Sequence, residues 1–420
     1  MGNRVSVIDE VRARRGRAEK FPVASRAARM SASKTMAVTA LVEKLRRAGA
    51  DVLDLGAGEP DFPTPENVRR AAHEALEKGH TKYTAASGTL RLKQAIRDRY
   101  AADFGAAYET SEVIAAAGAK QVIFNAVATL VEPGDEVLIP KPYWVTFPEA
   151  VTFAGGTPVW VETEAEGFRL TAGAVERAVT PRTKLLIVNS PSNPSGLVVE
   201  PEEFERIVAL AARRGLWVIS DECYDRFVYA PAQLFSAAQL PETLRRRVLV
   251  AGSCSKTYAM TGWRIGYALG PRPWVEAMAC VQSHSTSNPS SVSQEAAVEA
   301  LTGPQDSVAE MLEAYRERRD WLIPALNELP GVNCATPDGA FYAFPCVRDA
   351  LGHNYIQTSE ELATFLLEKA HVALTPGEAF GAPGYLRLSY ATSLEVLREA
   401  VGRIGDALED CVRESSCWAV

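Results

Sequence analysis

A lysine behind a short apolar run is the first residue here that suggests chemistry. Val248-Leu249-Val250 leads into Ser253-Cys254-Ser255-Lys256, and Arg264 follows eight residues later within Gly262-Trp263-Arg264-Ile265-Gly266. An α/β sheet binds ligands at the carboxyl ends of its strands, where this lysine would stand. Two hydroxyls, an amine and a guanidinium grouped there could hold a phosphate beside an amine nucleophile. A lone loop lysine would read as solvated, but the apolar Trp-Arg-Ile-Gly-Tyr setting of Arg264 is not surface texture. Ser220-Asp221-Glu222-Cys223-Tyr224 repeats the arrangement after another apolar run. Asp221 could keep a ring nitrogen protonated, and the Tyr224 phenol could bond the same ligand, unless they are merely a helix cap and a packed ring. Asn189-Ser190-Pro191-Ser192-Asn193-Pro194-Ser195-Gly196 is a proline-stiffened loop that offers the Asn193 amide, or simply a turn. Gly118-Ala119-Lys120 opens a helical pattern, and small residues at a helix N-terminus let backbone N–H groups approach an anion.

The elements that would carry these residues alternate in type. Helical patterns cover 64–79, 88–103, 119–131 and 201–214. Buried-strand candidates are 137–139, 159–161, 185–188, 217–220 and 248–250. Such an alternation indicates an α/β fold with a mostly parallel sheet covered on both faces. After Gly270 come helices at 291–301, 305–329, 359–370 and 393–411, with strand candidates at 372–374 and 386–389, the pattern of a smaller α+β domain. We therefore expect a basic N-terminal extension over 1–30, an N-terminal segment of the small domain over 31–64, a large domain over 65–300 and a C-terminal small domain over 301–420. The extension has no apolar core of a secretory signal. It reads as a partly ordered arm, solvated or laid on a partner subunit. The tail from Arg413 to Val420 has no interpretable periodicity.

Composition excludes several classes. With 420 residues, 47% hydrophobic and 23% charged, the chain is globular and large enough to bury a core unaided. Lys plus Arg number 45 against 52 Asp plus Glu, a net charge of -7, which argues against a nucleic-acid-coating protein. No apolar run reaches the ~20 residues of a membrane span. The seven cysteines match neither a disulfide framework nor a zinc site, and no metal site is expected. They suit a reducing, cytoplasmic compartment.

Taken in order, these segments resemble the class I aminotransferases, fold-type I pyridoxal-phosphate enzymes, and within them the bacterial aspartate/prephenate subgroup. The resemblance covers roughly 30–410. It rests on Gly-Glu-Pro-Asp-Phe (58–62), Thr-Lys-Tyr (81–83), Gly-Ala-Lys-Gln (118–121), Pro-Tyr-Trp-Val (142–145), the loop 189–196, Ser-Asp-Glu-Cys-Tyr (220–224), Ser-Cys-Ser-Lys (253–256), Gly-Trp-Arg-Ile-Gly (262–266), Gly-Ala-Phe-Tyr (339–342) and Leu-Arg-Leu-Ser-Tyr-Ala (386–391).

The resemblance implies a set of roles. Lys256 would hold pyridoxal 5'-phosphate through a Schiff base and then act as general acid/base, its amine kept uncharged by the cofactor's positive ring and Arg264. Asp221 would pair with the ring nitrogen, Tyr224 and Asn193 with the ring oxygen, and Trp144 would stack on the ring. Gly118, Ala119, Lys120, Ser253, Ser255 and Arg264 would hold the phosphate, with Tyr83 reaching the phosphate of a neighbouring subunit in an obligate homodimer with shared active sites. Arg387 would grip the substrate α-carboxylate, and Trp144 and Asn193 would also face the substrate. Gly58 would lie against it, where a side chain would obstruct closure. The implied reaction moves an amino group between an amino acid, acidic by resemblance, and a 2-oxo acid in a ping-pong cycle.

Two positions depart from the subgroup. Its distal-carboxylate lysine falls where this chain has Ser31, and Lys34 appears instead, one residue after Ser33. Lys34 is the candidate for that contact. His284 falls where the subgroup lines the substrate pocket and could donate a hydrogen bond or merely pack. A pyridoxal-phosphate lyase, cyclase or oxidase on the same scaffold is the alternative, because the cofactor-binding set is common to all of them. A regulator with an aminotransferase-like domain would need a DNA-binding module, and the lead-in is too short for a winged helix.

Overall fold

The sheet that carries the site is built from strands whose residues are apolar on both faces. The computed structural model describes residues 21–31, 34–352 and 356–416, with the side chains of 34–39 and 412–416 outside that description. Its strands are β1 (Leu53–Asp54), β2 (Val113–Ala116), β3 (Glu136–Pro140), β4 (Thr157–Val161), β5 (Thr183–Asn189), β6 (Trp217–Asp221), β7 (Val248–Ser253), β8 (Gly266–Leu269), β9 (Tyr342–Ala343), β10 (Val372–Ala373), β11 (Thr375–Pro376) and β12 (Leu386–Ser389). Seven of them form one sheet in the order β2-β8-β7-β6-β5-β3-β4. Only β8 runs against its neighbours, pairing antiparallel with both β2 and β7. Helices Ala119–Leu130 and Pro201–Arg213 belong to the layers that bury the two faces. This is the expected α/β architecture. A parallel sheet covered on both sides needs continuous Val/Ile/Leu runs, and β3, β5, β6 and β7 supply them.

Register sets the site. Asn189 of β5 lies opposite Asp221 of β6, and Asp221 lies opposite Ala251 of β7. Gly266 at the start of β8 pairs with Ser253 on one side and Ala116 on the other. The carboxyl ends of β5, β6, β7 and β2 therefore finish side by side, and β8 begins among them.

A second core gathers residues from Leu55, 224–229 and 311–411, including Tyr315, Phe341, Tyr342 and Leu388. Here β1 pairs parallel with β10, and β11-β12-β9 form a small antiparallel sheet. Arg403 of the last helix donates to Asp51 Oδ2 at 2.6 Å, tying that helix to the segment before β1. Among the described residues no helix is long and apolar enough to cross a membrane.

Residues 1–20 of the expected arm lie outside the described residues. The described part rests on this chain's own helix Thr146–Ala154. The Arg26 guanidinium lies 5.7 Å from the Phe153 ring centroid, and Ser31 N–H donates to Glu149 Oε2 at 3.0 Å. The last helix runs from Leu394 to Ser416, into the segment that carried no readable period.

Candidate active site

Lys256 sits in the single helical turn Cys254–Thr257 directly after β7. Ser253 caps this turn, its hydroxyl accepting from Ser255 N–H at 3.0 Å. The Lys256 ammonium donates to the Gly58 carbonyl at 2.5 Å. Burial holds its pKa down to about 8, with Arg387 and Arg264 pressing the same way and Glu59 and Cys223 opposing. Burial, rather than a positive neighbour, is thus the largest cause of the lowered amine pKa within this chain.

Asp221 ends β6 and is buried. Burial raises its carboxyl to about 6, against the lowering effects of Cys223 and Lys256. Its backbone donor is Cys223 N–H, at 3.2 Å. Among the described residues no cation forms an ion pair with this carboxyl, so a cationic group brought against it would favour its ionised form. The shift carries a sign. The folded state keeps its proton where the unfolded carboxyl has lost it, so this group's contribution to stability is full below the ordinary pKa and is lost as pH rises through about 6. Asp221→Asn in the ligand-free protein is expected to gain on the wild type by about 2–3 kcal/mol between pH 4 and pH 7. Urea unfolding of both proteins at the two pH values measures it, and a pH-independent difference would contradict this reading.

The anion end is built by close approach. Gly118 precedes helix Ala119–Leu130 with φ of 90°, and a Cβ there would stand 2.6 Å from Arg264 Nη2. A Cβ on Gly266 would stand 2.4 Å from the Ala119 nitrogen. Glycine at both positions lets the helix N-terminus and the Arg264 guanidinium converge beside Ser253 and Ser255. Arg264 has its own φ of 53° and donates to the carbonyls of Thr261 and Ala117 at 2.9 and 3.3 Å. Lys120 Nζ lies 5.0 Å from the Trp144 ring centroid, and burial lowers its pKa, with Arg264 adding to the effect.

Arg387 of β12 is 4% exposed. Its Nη1 donates to Asn193 Oδ1 at 2.9 Å and its Nη2 to the Gly56 carbonyl at 2.6 Å, while Nε has no partner among the described residues. A buried guanidinium N–H left unpaired is the mark of a site shaped for an acceptor. Because Asn193 spends its oxygen on Arg387, its NH₂ group is the end left to donate elsewhere.

The family described as aminotransferase class I and II matches residues 50–404. The aspartate aminotransferase of Geobacillus stearothermophilus is 45% identical over 388 residues, covering 92% of this chain and 99% of its own. The aspartate/prephenate aminotransferase of Cereibacter sphaeroides is 45% identical over 384 residues, covering 90% of this chain and 96% of its own. The crystal structure of the Rhizobium meliloti aspartate aminotransferase superposes with a TM-score of 0.89 at 44% identity, covering 93% of this chain and 99% of that one. The Thermus thermophilus aspartate aminotransferase with maleate superposes with a TM-score of 0.87 at 41% identity, covering 92% and 100%.

The chain belongs to the class I and II aminotransferases.

Within one chain of this aminotransferase, Lys256, Asp221, Asn193, Arg387, Arg264, Gly58, Ser253, Ser255 and the 118–120 turn converge at the strand ends. Tyr224 is buried with them and hydrogen-bonds Tyr342 Oη at 2.8 Å. Trp144 flanks the anion end. Tyr83 does not join them: it is 91% exposed. His284 is exposed on helix Arg272–Ser285. Lys34 opens helix Lys34–Arg47, and its side chain lies outside the described residues.

Some supporting features carry no assigned role in the sequence. Gly56 is one, and Gly58, expected to lie against the substrate, also acts through its carbonyl, which no residue type announces. Glu222, next to Asp221, is buried and accepts from Ser220 Oγ, Ser236 Oγ and Ala237 N–H at 2.7, 2.5 and 2.9 Å. Asp225 accepts from Thr257, the neighbour of Lys256, at 3.2 Å. Both acids are held protonated toward neutral pH, chiefly by burial. An acidic pair following an apolar strand was the available signal for Glu222.

Proposed function

We propose that the aminotransferase uses pyridoxal 5'-phosphate to move an amino group between an acidic, aspartate- or glutamate-like amino acid and a 2-oxo acid in a ping-pong cycle. The observation that carries this reading is the buried amine of Lys256, held down to about 8 beside a buried guanidinium, Arg387, whose Nε lacks a partner. An amine in this state is uncharged in a useful fraction at neutral pH and can serve as nucleophile and base.

The residues present fit the cofactor. Asp221 offers a buried carboxyl in want of a cation, and the glycine-opened turn offers N–H groups and a guanidinium to an anion. We assign the phosphate to Gly118, Ala119, Lys120, Ser253, Ser255 and Arg264, the ring nitrogen to Asp221, the ring oxygen to Tyr224 and the Asn193 amide, and the ring face to Trp144. When bound, pyridoxal phosphate supplies an electron sink for the pair left behind as the substrate loses its α-proton. Lys256 Nζ is the base that takes that proton and the acid that returns one. Arg387 holds the α-carboxylate of both amino acid and oxo acid. Segment 56–64 covers the site: Thr261 donates to Glu59 at 2.9 Å, Trp263 Nε1 to Thr64 at 2.9 Å, and Arg318 pairs with Asp61 at 2.9 Å.

The names of the relatives support an acidic substrate, as does maleate, a dicarboxylate, in the Thermus structure. They favour transamination over the lyase, cyclase or oxidase alternative. Exposed Tyr83 supports a homodimer in which it reaches the neighbouring site. The two cores support the division into residues 31–64 with 301–420 as small domain and 65–300 as large domain. We place the enzyme in a reducing, cytoplasmic compartment, the setting in which sparse cysteines stay as thiols.

The test is spectroscopic. Aspartate added to the cofactor-loaded enzyme should replace its visible band by one at shorter wavelength, because the bound group would end the half-reaction as an amine with less conjugation. A 2-oxo acid should restore the band. No change with any common amino acid would overturn the proposal. We also assign the distal carboxylate to Lys34. Lys34→Ala is expected to raise KM roughly tenfold for aspartate, the size of one charge-assisted hydrogen bond, while sparing alanine. Equal losses for both substrates in steady-state assays would remove Lys34 from the site.

A further inference from the structure

The segment Gly339-Ala340-Phe341-Tyr342 has no role in the assignments above, yet its tyrosine touches three parts of the site. Tyr342 lies on β9 and is fully buried. Its hydroxyl is 2.8 Å from the Tyr224 hydroxyl, and either oxygen can be the donor. Its ring carries the Arg387 guanidinium 4.6 Å from the centroid. A Cβ on Gly58 would stand 2.8 Å from the Tyr342 hydroxyl oxygen, so the need for glycine at 58 comes from this phenol.

We propose that Tyr342 is a positioning residue that donates its phenolic proton to Tyr224 and thereby strengthens the hydrogen bond from Tyr224 to the cofactor's ring oxygen. The inference rests on the assignment of Tyr224 as a donor to that oxygen. Each phenol has one proton. Once Tyr224 spends its own on the ring oxygen, its oxygen can only accept within the pair, which fixes the direction of the 2.8 Å bond. A hydroxyl that accepts a hydrogen bond becomes a better donor, and in a buried chain this polarisation adds about 10–30% to the next bond. No other hydroxyl bonds Tyr224 among the described residues. The charged and titratable groups that act on this pair are Arg387 from β12 and Cys223 from the loop after β6, while Lys256 itself feels Cys223, Glu59, Arg387 and Arg264. Burial keeps both phenols protonated, with the raised pKa of Tyr224 lying well above its ordinary value, so neither loses its proton over the working pH range.

The test is the pH titration of the visible band of the cofactor-loaded enzyme. The alkaline form of the bound cofactor carries more negative charge on its ring oxygen, so a weaker donor there moves the midpoint to higher pH. Tyr224→Phe should move it most. Tyr342→Phe, which keeps the ring under Arg387, should move it the same way by about 10–30% as much. In the Tyr224→Phe background the second substitution should add nothing, since the acceptor is gone. KM for the amino acid should stay within about twofold in Tyr342→Phe, which separates a relay from a mere loosening of Arg387. Comparable thermal midpoints verify that the variants fold. A Tyr342→Phe midpoint equal to the wild type, beside a Tyr224→Phe midpoint that moves, overturns the relay while leaving the cofactor reading intact. Equal shifts in both backgrounds also overturn it. A wild-type protein with no visible band that depends on Lys256 overturns the cofactor reading and the relay together.

Discussion

Replacing Lys256 by alanine is expected to lower kcat/KM for aspartate by at least about 10²–10⁴-fold, the range supplied by one positioned acid/base group. The loss should fall on kcat, because on the proposed assignment Arg387 and the 118–120 turn would still hold substrate and phosphate. The fold should survive. Lys256 is buried with its pKa held at about 8, below the ordinary lysine value. A group of this kind contributes fully to stability only above its ordinary pKa, and the contribution is lost as pH falls through about 8. At pH 7 the wild type therefore bears the cost of protonating a buried amine, and removing it offsets part of the cavity left behind. Steady-state kinetics, thermal unfolding and the absorbance spectrum check the three parts separately. A Lys256→Ala protein that keeps wild-type kcat would remove the acid/base role from this residue.

How much of this was readable before the structure differed between the strands and their supports. Strands β5 and β6 were plain because both faces are buried, which demands unbroken runs such as Leu185-Leu186-Ile187-Val188. Strands β2 and β8 were not read as strands. Gly266 is small because the start of helix Ala119–Leu130 comes close, its Ala119 nitrogen only 2.4 Å from where a Gly266 Cβ would be, and Ala116 and Ala268 pack in the same layer as that helix. The tight approach that builds the anion end thus erased the signal of the strands that frame it, and hid the one antiparallel member of the sheet. Helix Thr146–Ala154 was missed for a different reason. Its Phe147, Ala150 and Val151 are buried while Phe153 and Ala154 are half-buried, and little polar surface remains to mark a helical period.

The site divides the same way. Lys256, Asp221, Asn193 and Arg387 were legible because side-chain chemistry and motif order single them out. The carbonyls of Gly56 and Gly58 were not, since every residue has one. The cause of the lowered Lys256 pKa was also hidden, because burial depends on segment 56–64 folding over a lysine nearly two hundred residues away in sequence. The arm over 1–30 is expected to be solvated or on a partner, yet its described part, with Ser31, lies on helix Thr146–Ala154, through a ring contact at Arg26 and one backbone N–H at Ser31. Neither leaves a pattern.

Arg387→Lys is expected to raise KM about 10²-fold for the amino acid and by a similar factor for the 2-oxo acid. The guanidinium holds two partners, Nη1 on Asn193 Oδ1 and Nη2 on the Gly56 carbonyl, and among the described residues its Nε is unpartnered. Its central carbon lies 4.6 Å from the Tyr342 ring centroid and 5.0 Å from that of Phe380. A lysine brings the charge but not the fork. Its single ammonium cannot keep Asn193 and Gly56 satisfied and also meet a carboxylate with two parallel bonds. Truncating one partner of a buried, hydrogen-bonded charge pair costs about 2–5 kcal/mol, and the retained charge places lysine toward the lower half of that range. On the proposed assignment both substrates would present the same carboxylate to the same guanidinium, so the penalty should appear in both halves of the cycle. An amine lacking that carboxylate should be spared. Single-turnover absorbance with aspartate, with alanine, with 2-oxoglutarate and with a simple alkylamine separates these cases. A penalty seen with aspartate and 2-oxoglutarate but not with alanine, which has no distal carboxylate, would mean that Arg387 holds the distal carboxylate, and would transfer the α-carboxylate to another residue.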